Sequence, residues 1–166
     1  ILGPAFAENR QPNPKHERTT GGGAFYRLYD TADGKQIALA GQEMKFVEAV
    51  LGALGRGDLV ALCARGPGPH QQPVVECLER FFASKTRAEC SEWLARLDVC
   101  FAPVNTLLEA LDDQNVAARA TVTHDEQGRR HLAPPVRFAA EPARPQLREP
   151  RLGEHTREVL ARLDGA

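Results

Sequence analysis

Hydrophobic and polar residues change their spacing early in the chain, and this change predicts two strands followed by a helix. Residues 25–29 are aromatic and alternating, which is typical of a half-buried strand. The pair Asp33-Gly34 offers the positive φ of a tight hairpin turn, and residues 36–40 form the returning strand. After Gln42 the apolar residues fall on one helical face: Met44, Phe46, Val47, Val50, Leu51 and Leu54.

The pattern continues downstream as short helices and strands. Helical spacing recurs at 59–63, 74–82, 90–97 and 107–111, and a hairpin is predicted between 121 and 132. The order is two strands, four helices, a strand, a helix and a hairpin. It predicts an α/β fold of the α+β-like kind, with short strands and several packed helices.

Local signals set the limits of the central elements. Thr-x-x-Glu patterns at 86–89 and 106–109 are capping boxes, each of which predicts the start of a helix. Trp93 lies on the apolar face of the helix after the first box and is predicted to anchor the core. Residues 99–102 are predicted as a short buried strand that Pro103 ends.

The two ends of the chain differ from its centre. Residues 1–22 combine proline, glycine and charge without periodicity, which predicts a linker entering from upstream and hence a fragment of a longer protein. After residue 132 the chain is predicted to form an extended strap followed by a terminal helix, because proline cannot join a central strand. The strap prolines are Pro134, Pro135, Pro142, Pro145 and Pro150.

Composition is that of an ordinary soluble globular protein. The 166 residues are 42% hydrophobic and 26% charged, with a formal net charge of −1. Charges of both signs are interspersed, so neither nucleic acid nor an anionic membrane is an expected partner. No apolar run approaches membrane-spanning length and no signal peptide is visible, so a cytoplasmic location is predicted.

Cysteine and histidine spacing shows no metal-site pattern. The cysteines form no CxxC pair and the histidines no HExxH motif, so we predict no metal and interpret the cysteines as buried free thiols. Cys–His catalysis stays open, although no local signature supports it. The residues concerned are Cys63, Cys77, Cys90, Cys100, His16, His70, His124, His131 and His155.

Three other clusters have explanations simpler than chemistry. The glycines at 21–23 precede a strand, whereas the glycines of phosphate loops follow one, so a flexible hinge is predicted there. Asp112 and Asp113 are predicted to cap a helical turn. Arg148 and Arg151 could contact a phosphate, yet exposed arginines are common on any surface.

Glu43 is the one ionisable residue that we consider as a candidate for a catalytic role. It stands after the second strand, where the helix begins. An acid in the first turn of a helix complements the macrodipole, worth a few tenths to about 1 kcal/mol. The alternative is a working carboxylate that the end of the strand delivers to a cleft. The residues alone favour the macrodipole explanation.

Four stretches of the sequence resemble one known family. They are GGGAFYRLYDTADGKQIALAGQEMKF, then FFASKTRAECSEWLARLDVCFAPVNTLLEAL, and the closing motifs LAPPVRF and EPRLGEHTREVL. In this order and spacing they resemble the family III CoA-transferase and 2-methylacyl-CoA racemase superfamily, the CaiB/BaiF-like proteins. The resemblance covers nearly the whole chain.

The resemblance implies an interlocked homodimer whose subunits have a Rossmann-like large domain and a small α/β domain. It implies acyl-CoA, or coenzyme A, as substrate and no covalently bound cofactor. Residues 1–22 would be the linker from a missing large domain, 23–132 the small domain, and 133–166 the returning tail and C-terminal helix. The acyl-carrying aspartate of the transferases, and the His and Asp of the racemases, lie in the large domain. The fragment alone is therefore expected to be inactive.

The resemblance also gives Glu43 a supporting catalytic role. Racemase-type members carry Gly-x-Glu-x-x-Phe after the second strand, which Gly41, Glu43 and Phe46 match, whereas transferases more often show Asn or Asp. Such a glutamate would orient the catalytic His of the missing domain and raise its basicity. This favours α-proton exchange on 2-methylacyl-CoA over CoA transfer between carboxylic acids. Residues 100–104 would pack beside the cleft. The alternative function is a non-catalytic binding or assembly module.

Overall fold

A three-stranded antiparallel sheet covered by helices forms the centre of the first of two units in this computed structural model. The structure describes residues 2–143 and 148–164. The chain divides into Ile1–Asn105, here called unit 1, and Thr106–Ala166, here called unit 2. Unit 2 contains a separate two-stranded sheet.

The described elements confirm the predicted fold class, in which helices are combined with short antiparallel strands. Unit 1 contains α1 (Leu2–Ala7), β1 (Arg27–Asp30), β2 (Gln36–Leu39), α2 (Met44–Ala53), a 3-10 turn (Gly57–Leu59), α3 (Val60–Ala64), a second 3-10 turn (Pro69–Gln71), α4 (Gln72–Ala83), α5 (Arg87–Ala95) and β3 (Phe101–Val104). Unit 2 contains α6 (Leu107–Leu111), α7 (Gln114–Ala118), β4 (Val122–His124), β5 (Arg130–Leu132) and α8 (Thr156–Asp164).

The sheet of unit 1 has the order β1-β2-β3 and buries one face. Tyr29 opposes Ile37, which opposes Pro103 on the far side. Tyr29 and Ile37 are 1% and 0% exposed, whereas Leu28, which points to the opposite face, is 52% exposed. The predicted alternation of the two strands is thus present, with β1 beginning at Arg27 rather than at residue 25.

The core of unit 1 forms where α2, α4 and α5 cover the buried face of the sheet. The Tyr29 ring lies 5.1 Å from the Phe82 ring, and its hydroxyl donates to the Ala24 carbonyl at 2.6 Å, so the buried phenol is satisfied. Trp93 packs 4.5 Å from Phe81 against the core, as predicted. Burial of each large aliphatic side chain contributes about 1.5–3 kcal/mol. The buried aliphatic side chains that the helices contribute to this core are Val47, Val50, Leu51, Val74, Leu78 and Leu94.

The helix ends follow the sequence signals. Gly55 has φ +67° after α2, and the Arg56 amide donates to the Leu51 carbonyl at 2.7 Å, which is the Schellman pattern. Both predicted capping boxes, at 86–89 and 106–109, are formed with reciprocal bonds. These local hydrogen bonds satisfy amides that the helices leave unpaired.

The third strand corrects two predictions. β3 includes Pro103, although the strand was predicted to end there. Proline is tolerated because β3 is an edge strand and needs ladder bonds on one side only. The strand was also predicted to be buried, whereas its residues are half-buried or exposed and the preceding Cys100 is exposed. An edge position leaves one side of the strand uncovered.

The segment before the sheet is packed rather than flexible. Arg10 donates to both oxygens of the buried Glu17 carboxylate, at 2.6 and 3.0 Å. Gly22 and Gly23 are buried. A β-carbon on Gly22 would lie 2.2 Å from the carbonyl carbon of His16. Close backbone approach, and not the predicted hinge, therefore explains this glycine.

Unit 2 is held by polar contacts, and no described residue in it is buried as a whole, although single side chains are covered. The Asp113 carboxylate accepts from the amides of Asn115 (2.8 Å) and Val116 (3.4 Å), which confirms the predicted cap of α7. The predicted hairpin is also confirmed, with Gly128 at φ +76° in its loop. The sequence signals of this unit are local, and the structure follows them.

The tail between β5 and α8 contains no helix or strand in its described part, as the recurring proline predicts. Pro145 lies outside the described residues. Val136, Phe138 and Leu152 are 59%, 63% and 107% exposed, so the tail presents apolar side chains at its surface. The predicted terminal helix is confirmed as α8, which begins at Thr156.

Candidate functional site

The turn from β2 to α2 is the candidate site, and its backbone is held at both ends. Just after β2, the Ala40 amide donates to the Cys100 carbonyl at 3.0 Å, which extends the sheet contact. Glu43 then serves as the N-cap of α2, with φ −64° and ψ 136°. Its carbonyl accepts from the amides of Phe46 (2.9 Å) and Val47 (3.2 Å). The site is thus a strand end followed directly by a helix start.

Gly41 and Phe46, the outer residues of the Gly-x-Glu-x-x-Phe motif, touch each other. A β-carbon on Gly41 would lie 2.9 Å from Cδ2 of Phe46, closer than any ordinary contact. The Lys45 ammonium lies 4.6 Å from the centre of the same ring, within cation–π range. The motif therefore has a structural basis, because its glycine makes room for its phenylalanine.

Gln42, which the sequence did not single out, ties the turn to the N-terminal segment. Its Nε2 donates to the Arg18 carbonyl at 3.1 Å. A β-carbon on Gly23 would lie 2.8 Å from the same nitrogen. Gln42 also lines a cavity of about 60 Å³ together with Gly23 and Gln71. The motif is therefore fixed on its inner side by Gln42.

The Glu43 side chain points outward. Residue 43 is exposed, and its carboxylate forms no capping hydrogen bond with α2. Among residues 2–143 and 148–164 the carboxylate has no ion-pair partner. Proximity to the helix N-terminus is the interaction that remains for it within the described residues. The structure thus leaves an available carboxylate at the strand end.

Gln71 is a second polar residue that sequence reasoning missed. It is 5% exposed, and its Oε1 accepts from the Ala24 amide at 2.8 Å while its Nε2 donates to the Gly66 carbonyl at 2.7 Å. Gly68 adds a backbone bond to the Gly22 carbonyl at 2.9 Å. The buried amide therefore joins the 66–71 loop to the segment that enters β1. Its position in the 66–71 loop, beside a second glutamine, offered no signal in the sequence.

The cysteines differ from their predicted uniform burial. Cys90 is buried, Cys63 and Cys77 are half-buried, and Cys100 is exposed. Burial raises the pKa of Cys63 to about 11 and raises the pKa of Cys90 as well, which disfavours the reactive thiolate at neutral pH. Within the described parts of the chain, no three His, Cys, Asp or Glu side chains gather as a metal site would require.

A carboxylate in the hairpin of unit 2 gathers basic partners. The Asp125 side chain is 2% exposed, with Nε2 of His131 at 3.0 Å and Nε of Arg129 at 2.6 Å. The His131 hydrogen bond, followed by bonds from Arg129, holds the pKa of Asp125 well below its usual range. These hydrogen bonds link the two strands and the loop of the hairpin and stabilise it.

The predicted phosphate candidate Arg148 is already paired. Its guanidinium donates through both nitrogens to the Glu154 carboxylate, with Nη1 at 3.0 Å, and the pKa of Glu154 falls to about 2 through this pairing. The Arg151 amide donates to the same carboxylate at 2.7 Å. Arg148 therefore stabilises the turn before α8.

None of the described helices is both long and apolar enough to cross a membrane.

The helix-covered antiparallel sheet and its Gly-x-Glu-x-x-Phe turn lie within a stretch of the chain that matches one known family. The family model for CoA-transferase family III matches residues 2–156. The chain belongs to this family. A solved structure of a CAIB/BAIF family protein from Brucella suis has the same fold, with a TM-score of 0.68 at 23% identity over 96% of this chain and 42% of that one.

Curated relatives include two kinds of enzyme. The chain is 34% identical over 143 residues to the alpha-methylacyl-CoA racemase of Mus musculus, which covers 84% of this chain and 37% of the relative. It is 28% identical over 180 residues to the succinyl-CoA–L-malate CoA-transferase beta subunit of Chloroflexus aurantiacus, which covers 99% of this chain and 43% of that one. The chain therefore spans less than half the length of either relative.

Proposed function

We propose that this chain is the C-terminal part of an acyl-CoA enzyme that catalyses racemase-type α-proton exchange on a 2-methylacyl-CoA. Family membership and the names of the relatives support acyl-CoA as the substrate. The chain spans 37% of the racemase of Mus musculus, which leaves room for a larger part of the enzyme. In this proposal residues 1–22 are the linker, 23–132 the small domain and 133–166 the returning tail.

The exposed carboxylate of Glu43 is the observation that favours racemase chemistry over CoA transfer. Its carboxylate is exposed at the end of β2 and makes no capping bond, so it is free to contact a group outside this chain. A carboxylate bonded to one imidazole nitrogen fixes the tautomer and raises the basicity of the other nitrogen. In this proposal Glu43 is a positioning residue that acts through a histidine of the missing domain.

The test uses the intact gene product and measures deuterium uptake at the α-carbon of a 2-methylacyl-CoA in deuterated water. Glu43→Gln keeps the size of the side chain but removes its charge, so the exchange rate should fall about 10-fold or more. Its pH–rate profile should also shift, because the basicity of the histidine changes. Glu48→Gln is the matched control, since Glu48 is an exposed acid on the same helix. Unchanged turnover of Glu43→Gln would mean that Glu43 only stabilises the N-terminus of α2 and takes no part in catalysis.

CoA transfer between carboxylic acids is the alternative chemistry of the same family, and the Chloroflexus aurantiacus relative supports it. Transfer without proton exchange in the same assay would decide for it.

The exposed tail residues Val136, Phe138 and Leu152 fit docking onto another polypeptide, as an interlocked homodimer requires. The mass of the intact gene product in solution tests the dimer. A non-catalytic assembly module could use the same apolar tail. Absence of both proton exchange and CoA transfer in the intact gene product would favour that function.

A further inference from the structure

A cavity of about 590 Å³ in unit 1 has basic side chains around a floor of glycine backbone. Lys15, His16 and Arg27 line it, together with Gly21, Gly22 and Gly68. All of its lining residues belong to the described part of unit 1, and none of them is acidic. The volume lies in the range of about 300–1,000 Å³ that is usual for small-molecule sites.

Backbone contacts hold the floor of the cavity in place. The Gly68 amide donates to the Gly22 carbonyl at 2.9 Å, and the Gly22 amide donates to the Glu17 carbonyl at 2.9 Å. The absent β-carbon of Gly22 lets this loop close on His16, which brings His16 and the adjoining Lys15 to the rim. The cavity is thus formed before any ligand binds, which lowers the entropic cost of binding.

The basic side chains keep their charge available. Within residues 2–143 and 148–164 neither Lys15 nor Arg27 forms a salt bridge. The Arg27 guanidinium lies 5.8 Å from the centre of the Tyr29 ring, a contact that orients it without neutralising it. The nearby Glu17 carboxylate is already bound by Arg10. The charged side chains that line the cavity, Lys15 and Arg27, are therefore both cationic and outside any salt bridge among the described residues.

We infer that this cavity binds an organic phosphate. A phosphate monoester carries about −1.5 to −2 charges at pH 7, which matches more than one cation better than a carboxylate does. A guanidinium and an ammonium are its usual partners in proteins. The phosphates of coenzyme A and those of a free phosphorylated metabolite share this chemistry. Inorganic phosphate alone can test the site, so the inference does not depend on the acyl-CoA chemistry proposed above.

The first experiment titrates the intact gene product at low ionic strength with inorganic phosphate, coenzyme A or pantetheine, while the amide NMR shifts of residues in this chain are recorded. Saturable shifts at 15–22 and 68–72 with the two phosphate-bearing probes, and none with pantetheine, are expected. Tighter binding of coenzyme A identifies it as the source of the phosphate. Tighter binding of inorganic phosphate indicates a separate metabolite. Equal shifts with pantetheine, or no saturable binding of either phosphate probe, would overturn the inference.

The second experiment removes single charges. Lys15→Gln and Arg27→Gln should each weaken phosphate binding about 5- to 10-fold, because each removes one charge-assisted contact. Lys15 is exposed, so its replacement leaves the fold intact even where loss of the Arg27–Tyr29 contact alters stability. Arg80→Gln is the control, since Arg80 is exposed in the last turn of α4. Two folded variants at Lys15 and Arg27 that bind phosphate as tightly as the original chain would refute the site.

Discussion

The ring of Phe46 lies against the α-carbon of Gly41, where a β-carbon would be 2.9 Å from Cδ2 and 3.3 Å from Cγ. This contact joins the first and last residues of the motif that contains Glu43. It lies in the turn by which the chain leaves β2 and enters α2, where Glu43 is the N-cap. The Phe46 ring can keep this position only because the residue two places before Glu43 is a glycine.

Gly41→Ala is expected to destabilise the protein by about 1–3 kcal/mol, because the ring must move to admit the methyl group. Urea unfolding of the 166-residue chain measures the free energy. Gly52→Ala is the matched control: its β-carbon meets nothing within 4 Å, and alanine favours a helix by about 0.5–1 kcal/mol. Adding Phe46→Leu to Gly41→Ala should recover part of the loss. An unchanged midpoint for Gly41→Ala would show that the ring adapts freely.

Gln71→Ala should cost about 1–3 kcal/mol, because it leaves the buried Ala24 amide without an acceptor. Gln72→Ala, at the exposed neighbouring position, should change stability by less than about 0.5 kcal/mol. Hydrogen exchange separates the two, since the Ala24 amide should lose protection only in Gln71→Ala. Equal stability of the two variants would mean that water replaces the Gln71 amide.

The hairpin of unit 2 should weaken in acid. The pKa of Asp125 is lowered in the folded state, first by the His131 hydrogen bond, so its contribution is fully present above the ordinary value of 3.8 and is lost as pH falls further. Amide exchange or NMR intensities of β4 and β5 between pH 6 and pH 2 follow this loss. Asp125→Asn should abolish the pH dependence below about 4. Retention of the full acid transition in this variant would assign it to other carboxylates.

The thiols should react in an order set by their exposure. A maleimide or similar thiol reagent at pH 7 should label Cys100 first, since it is exposed, and Cys90 last, since it is buried. Cys63 should react slowly because its pKa is about 11. Mass spectrometry after timed labelling gives the order. Rapid labelling of Cys90 in the folded chain would contradict the packing of α5 on the core.

Local signals account for most of the elements that the sequence predicted. Helical spacing and capping boxes act over three to five residues, and the structure forms the helices that they predicted. Glu43 was also identified from its place after a strand and its match to a family motif. Its catalytic role and the proposed domain limits remain predictions.

The sequence by itself determined the period and order of the elements from β1 onward and the helix starts at the two capping boxes, because these depend on neighbours within a few turns. Only the tertiary structure decided that Pro103 joins an edge strand, that Gly22 packs on His16 and that Gln71 bonds to Ala24. The last contact spans 47 residues. Such pairings follow from how the chain closes on itself, and no short window of sequence contains that information.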